Sequence, residues 1–193
     1  DHRDLHSFPT RRSSDLFDPE HDRRTRAHRE ALTRIALALQ QGEFRLYYQP
    51  KVDMRQGIVI GAEALIRWQH PEHGLVPPGE FLPLVEDDGE LAVAIGDWVL
   101  AEAVRQMGHW ALQGLQLPVS VNIAARHLQH PEFISRLVAL LETMPDLQPS
   151  QLELEILETA ALEDMVVASR VIRECRQMGI DFALDDFGTG YSS

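Results

Sequence analysis

The 193 residues include a single cysteine, Cys175, and a single lysine, Lys51. No apolar run in them approaches the ~20 residues that a membrane-spanning helix needs. One cysteine excludes an internal disulfide framework, and nothing reads as a secretory signal, so a reducing cytoplasm is the expected setting. Cys175 lies among Val171, Ile172 and Met178 at helical spacing, which marks it as a packed thiol rather than a nucleophile. Glycine-rich phosphate turns of the G-x-G-x-x-G kind are missing, as is the G-x-S-x-G elbow of acyl-enzyme chemistry. His70, His73, His109, His127 and His130 fit neither H-E-x-x-H nor any Cys/His metal spacing. Positive charge is scarce too: 18 Lys and Arg face 30 Asp and Glu, a formal net charge of −12. The imbalance resides beyond residue 34, and such a field disfavours duplex nucleic acid and anionic membrane surfaces.

What is present is globular, with 44% hydrophobic and 25% charged residues. Residues 1–16 show no apolar periodicity and are expected to be disordered; the string HSFPTRRSSDL resembles a translated sequencing-adapter scar rather than natural protein. Residues 17–42 form a connector in which Leu32, Ile35, Ala36 and Leu39 give an amphipathic helix that Gly42 can end. From residue 43 to 193, strand-like and helical segments alternate. Phe44–Gln49 and Ile58–Trp68 read as strands. A short helix carries Phe81, Leu84 and Val85, and a long one carries Leu91, Ile95, Trp98, Ala101 and Val104, with Gly114 at its end. Strands at Val119–Ile123, Leu152–Leu157 and Ile180–Leu184 are separated by helical stretches, and their centres are spaced by about one βαβ unit of ~30 residues. The expected fold is α/β, a partial TIM-like (β/α) barrel, because eight such units need ~250 residues and only about five strands can be read here.

Polar residues intrude on these apolar strands. Glu63 interrupts IVIGAEALI, Asn122 follows VSV, Glu155 lies in LELEIL, and Asp185-Asp186 follow FAL. An isolated buried carboxylate costs several kcal/mol unless paired, so an intrusion on strand after strand calls for a shared counter-charge. In parallel barrels the C-terminal strand ends converge on one mouth, and two carboxylates ~4 Å apart there would repel by ~4 kcal/mol at an effective dielectric of 20. A hard divalent cation such as Mg²⁺ or Mn²⁺ relieves that repulsion. Against this stands the plainer reading, that any single strand Glu, Glu153 for example, faces solvent and that an Asp pair before Phe-Gly is a turn.

Taken in order, Tyr48-Gln49-Pro50, Glu63-Ala64-Leu65-Ile66-Arg67-Trp68, His70-Pro71-Glu72, Val121-Asn122, Glu155-Ile156-Leu157-Glu158 and DDFGTGYSS at 185–193 resemble the EAL domain, the bacterial cyclic di-GMP phosphodiesterase family. The resemblance implies an EAL-type barrel with two divalent cations, Mg²⁺ or Mn²⁺, that hydrolyses cyclic di-GMP to linear pGpG. By the family pattern Glu63, Asn122, Glu155 and Asp185 are metal ligands, with Asp186 on the second metal or its water. Gln49, Leu65 and Arg67 match substrate-binding positions; Glu158, Gly188 and Gly190 match the residues that hold and bend the loop following Asp186. The connector resembles the junction to an upstream GGDEF or sensory domain, through which the parent protein would be tethered to a membrane if that region carries a span. Family habit admits a homodimer.

Leu157, Ala124 and His127 depart from the family's usual Thr, Ser and Gln, none of them at a metal-ligand position. The family's later strands supply a Lys, a Glu and a Gln to the site, and those strands are not read here. The chain as given is therefore expected to be a truncated, inactive piece of an active parent. The alternative is a degenerate EAL module that binds cyclic di-GMP or a protein partner without cleaving it.

Overall fold

A computed structural model of the chain describes residues 19–86, 88–157 and 165–185. Helix α1 runs over Pro19–Gln40, with Glu20 and Asp22 placed to meet the positive end of its dipole. It begins well ahead of Leu32, the first residue of the apolar spacing, because its first turns are charged and carry no stripe to read. The second half packs, with Ile35 and Ala38 fully buried. Gly42 then takes a φ of 65°, a left-handed conformation that glycine adopts at low cost, and turns the chain into β1.

Strand β1 (Phe44–Asp53) folds back on β2 (Ile58–His70) as a long antiparallel hairpin. The strand continues four residues past Gln49, through Pro50, which is tolerated because β1 is at one end of the sheet's strand order. Next come β3 (Gly74–Val76), α2 (Pro78–Val85) and α3 (Gly89–Leu112), the last capped by Asp88, whose carboxylate accepts from the Leu91 backbone N–H. Then follow β4 (Val119–Asn122), α4 (Ala125–Leu128), α5 (Phe133–Glu142), β5 (Leu152–Leu157), α6 (Met165–Gln177) and β6 (Asp181–Asp185). The strands order as β1-β2-β4-β5-β6, with β3 beside β2, and the pairs β2–β4, β4–β5 and β5–β6 are parallel. Strand β3 and helix α4, of three and four residues, are too short to show a period in the sequence.

Strand periodicity of two divides this sheet into unlike faces. Ala62, Ala64, Ile66 and Trp68 of β2, Val119 and Val121 of β4, and Leu152, Leu154 and Ile156 of β5 are all buried on one face. Their alternates, Glu63, Leu65, Arg67, Ser120, Asn122, Glu153 and Glu155, form the other. In β1 the apolar parity is Phe44, Leu46 and Tyr48, and the polar parity is Arg45, Gln49 and Lys51. Parallel strands buried on both sides read as near-continuous apolar runs; here one face is apolar and the other polar.

The apolar face meets an aromatic cluster in which the Phe44 ring lies 5.4–5.9 Å from Trp68, Phe81 and Trp98. Trp98 is only half-buried, so it contributes less than a fully enclosed ring would. Beside the cluster Glu43 clasps α1 to the hairpin. Arg34 Nη2 donates to both of its carboxylate oxygens, at 2.9 and 2.7 Å, and Trp68 Nε1 donates to Oε2 at 2.8 Å. Burial alone would push the Glu43 carboxyl up, but the Trp68 and Arg34 hydrogen bonds outweigh it and hold it below its ordinary value. On α6, Cys175 is fully buried and its thiol is pushed up to about 12 by burial, as a packed and unreactive sulfhydryl should be. His127 is also a core residue; its Nε2 meets Asp97 Oδ1 at 2.8 Å, and a Cβ on Gly96 would fall 2.1 Å from its Nδ1, so only glycine fits there.

A carboxylate held below its ordinary value stabilises the fold above the unfolded value and loses that contribution as pH falls through the folded one. Glu43→Gln is therefore expected to melt below the wild type at pH 7, with the gap closing as the pH drops below the usual glutamate value of about 4.3. Melting curves from pH 7 to pH 3 measure it; a gap constant with pH would show that the clasp acts by shape and not by charge.

Candidate functional site on the polar sheet face

Register sets the residues of the polar face side by side. Glu63 on β2 stands opposite Gln49 on β1 and beside Ser120 on β4. Asn122 pairs in register with Glu155 on β5, and Leu157, two residues further on, pairs with Asp185 on β6. The side chains meet as well: Asn122 Nδ2 donates to Glu63 Oε1 at 2.9 Å across 59 positions of sequence. Glu63, Asn122 and Glu155 thus gather at one end of the face, with Gln49 exposed next to them. Leu65 and Arg67 continue along β2 on the same parity, Arg67 about 13 Å beyond Glu63 at the ~3.3 Å rise of a strand. Asp186, Glu158, Gly188 and Gly190 lie outside the described residues, as does the side chain of Asp185.

The face also holds a group that the intrusions into the strands did not single out. Lys51 Nζ donates to Glu155 Oε1 at 2.6 Å and to Glu153 Oε1 at 2.9 Å, and it reaches Ser120 Oγ, whose hydroxyl in turn donates to Glu153. Glu153 therefore joins the network while staying partly exposed, and is not the freely solvated strand glutamate of the plainer reading. Parity was the available signal: Lys51 is two residues from Gln49, Ser120 two from Asn122, and Glu153 two from Glu155.

The two glutamates that share Lys51 respond differently. Burial pushes Glu155 up, and the neighbouring Glu63 charge adds to it, so that its carboxyl lies above the ordinary value in spite of the lysine. Glu153 is pushed up by burial but pulled further down by the Ser120 and Lys51 hydrogen bonds. For Lys51 itself burial works against the charged form, and the hydrogen bonds to Glu155 and Glu153 overcome it, leaving its pKa raised. Among the described residues no three His, Cys, Asp or Glu side chains converge as a metal-binding group. What the face offers is an oxygen set, Glu63, Glu155 and the Asn122 amide, in which Glu155 carries an unfavourable charge. That set fits a hard divalent cation in both chemistry and sign.

A family model described as the EAL domain matches residues 32–193. The chain belongs to the EAL family. This EAL domain is 44% identical over 158 residues to the bifunctional diguanylate cyclase/cyclic di-GMP phosphodiesterase MucR of Pseudomonas aeruginosa, a match covering 81% of this chain and 23% of MucR. It is 38% identical over 178 residues to the cyclic di-GMP phosphodiesterase PdeR of Escherichia coli, covering 92% of this chain and 26% of PdeR. The chain therefore spans about a quarter of the length of these curated relatives. Among solved structures, the MucR phosphodiesterase in complex with c-di-GMP superposes with a TM-score of 0.78 at 42% identity, covering 85% of this chain and 66% of that one. The EAL enzyme Bd1971, bound to cAMP and cyclic di-GMP, gives 0.79 at 30% identity over 87% and 46% of the two chains. The sheet with its polar inner face is accordingly part of a TIM-like EAL barrel.

Ser120 is nearly inaccessible, and its hydroxyl serves both Lys51 and Glu153. Ser120→Ala leaves each of them one hydrogen bond short and is expected to cost about 1–3 kcal/mol in urea unfolding. A variant as stable as the wild type would remove the hydroxyl from the network.

Proposed function

We propose that this domain forms the strand-borne part of a site that hydrolyses cyclic di-GMP to linear pGpG. The observation that carries the reading is the meeting of Glu63, Asn122 and Glu155 on one polar sheet face, in a chain whose relatives MucR and PdeR bear the name of that phosphodiesterase. Glu63, Asn122, Glu155 and Asp185 would hold Mg²⁺ or Mn²⁺, two ions in the complete site, with Asp186 beside them. Bound cations of this kind supply positive charge against an anionic phosphodiester and acidify water.

The chain's own residues prepare that chemistry. The Asn122 amide fixes one oxygen of Glu63, so the other is presented in a set orientation. Arg67 carries a permanent, planar cation suited to phosphate oxygens, and with Gln49 and Leu65 it lines the approach to the carboxylates. In the reaction a water oxygen bonds to phosphorus while one ring P–O bond breaks, the departing oxygen takes up a proton, and the dinucleotide is left linear with a terminal phosphate. Glu158, Gly188 and Gly190 are the loop-positioning residues of this reading. Residues 17–42 are the connector to an upstream GGDEF or sensory domain, in keeping with the bifunctional name of MucR and that of the oxygen sensor protein DosP. The setting is cytoplasmic, and pairing of two copies belongs to the same reading; no described helix is long and apolar enough to cross a membrane.

The test is guanine-nucleotide turnover by the whole protein with saturating Mg²⁺ or Mn²⁺, read as pGpG released. Glu63→Gln is expected to lose more activity than the roughly 10–100-fold that removal of an outer-shell metal partner costs, while melting near the wild type. Wild-type turnover in that variant would remove Glu63 from the site. Binding of cyclic di-GMP without release of pGpG by the unaltered protein would favour a binding module over an enzyme.

A further inference from the structure

The carboxylates of the polar face share a counter-charge that the chain itself provides. Both glutamates of β5 are ion-paired, among the described residues, to Lys51 alone, which reaches them from β1 across more than a hundred positions of sequence. The lysine is only partly exposed and the Glu155 side chain is 10% exposed, so neither end of that pair is a loosely solvated surface contact. Ser120 on β4, one of the two strands between β1 and β5, closes the group by accepting from Lys51 and donating to Glu153. Four side chains from three strands thus fix one another, and the oxygen they fix, Glu155 Oε1, belongs to a carboxylate that lies next to Asn122 and within electrostatic reach of Glu63.

We propose that Lys51 is a positioning residue of this site: its ammonium holds the Glu155 carboxylate in place and balances the acidic sheet face until a divalent cation does so. The second half of that statement rests on the cation reading given above; the first does not. A lysine serving only as packing would be replaceable by an apolar side chain of similar length, and the charge on Glu153 would be irrelevant to it. A lysine serving as counter-charge would be needed only as long as the carboxylates remain charged.

Two measurements on the full chain separate these cases. In chelator, Lys51→Met is expected to lower the melting temperature by about 2–4 °C, Lys51→Arg to remain near the wild type, and the double variant Lys51→Met/Glu153→Gln to recover at least half of the loss. A double variant melting no higher than Lys51→Met overturns the proposal. Should Lys51→Met not fold, a folded double variant supports the proposal and an unfolded one overturns it. By calorimetry Lys51→Met is expected to bind Mn²⁺ about tenfold more tightly than the wild type, since the internal cation no longer competes. Equal affinity in the two overturns the charge-balancing half. A wild type that takes up no Mn²⁺ sinks the cation reading itself and leaves the melting series to judge whether Lys51 positions Glu155.

Discussion

Repulsion between the Glu63 and Glu155 carboxylates, offset by Lys51, is the constraint around which the polar face of this domain is arranged. Two carboxylates ~4 Å apart oppose one another by ~4 kcal/mol at an effective dielectric of 20, a sizeable share of the 5–15 kcal/mol that typically separates folded from unfolded chains. A sheet bearing such a face needs stabilisation elsewhere. Its opposite face supplies this with Leu152, Leu154, Ile156, Val119 and Val121, all fully buried, each worth roughly 1.5–3 kcal/mol of apolar transfer. The strand period of two keeps these requirements apart: one parity makes the core, and the other carries charge.

The hairpin of β1 and β2 links the faces to the rest of the molecule. On the apolar side Phe44 and Trp68 join the aromatic cluster, and the Glu43 clasp draws α1 against them. On the polar side the same two strands deliver Lys51, Gln49 and Glu63. The clasp and the polar residues of the site are thus carried on the same two continuous strands.

Much of this was legible in the sequence. The strands at 119–123, 152–157 and 180–184 and the helices between them follow from apolar spacing, and Glu63, Asn122 and Glu155 stood out as polar residues where apolar ones belong. Three things were not legible. Strand β3 and helix α4 are too short to carry a period. The antiparallel β1, extending past Pro50, contradicts the rule that proline ends a strand, and only its place in the sheet explains it. Lys51, the single lysine, was not singled out, since its role depends on the register between β1, β4 and β5, which is a property of pairing and not of local sequence. Glu153 was misread for the same reason. The ordered set of motifs from Tyr48 to Ser193 carried the EAL assignment, which the match over residues 32–193 bears out.

The account depends on oxygen atoms from separate strands serving one cation. Diffraction from crystals of the full chain soaked in Mn²⁺, with the metal located by its anomalous signal, tests that directly. The account predicts manganese within bonding distance of Glu63, Asn122 and Glu155 on the polar face. Manganese bound elsewhere, with those three side chains left as a purely hydrogen-bonded group, would contradict it.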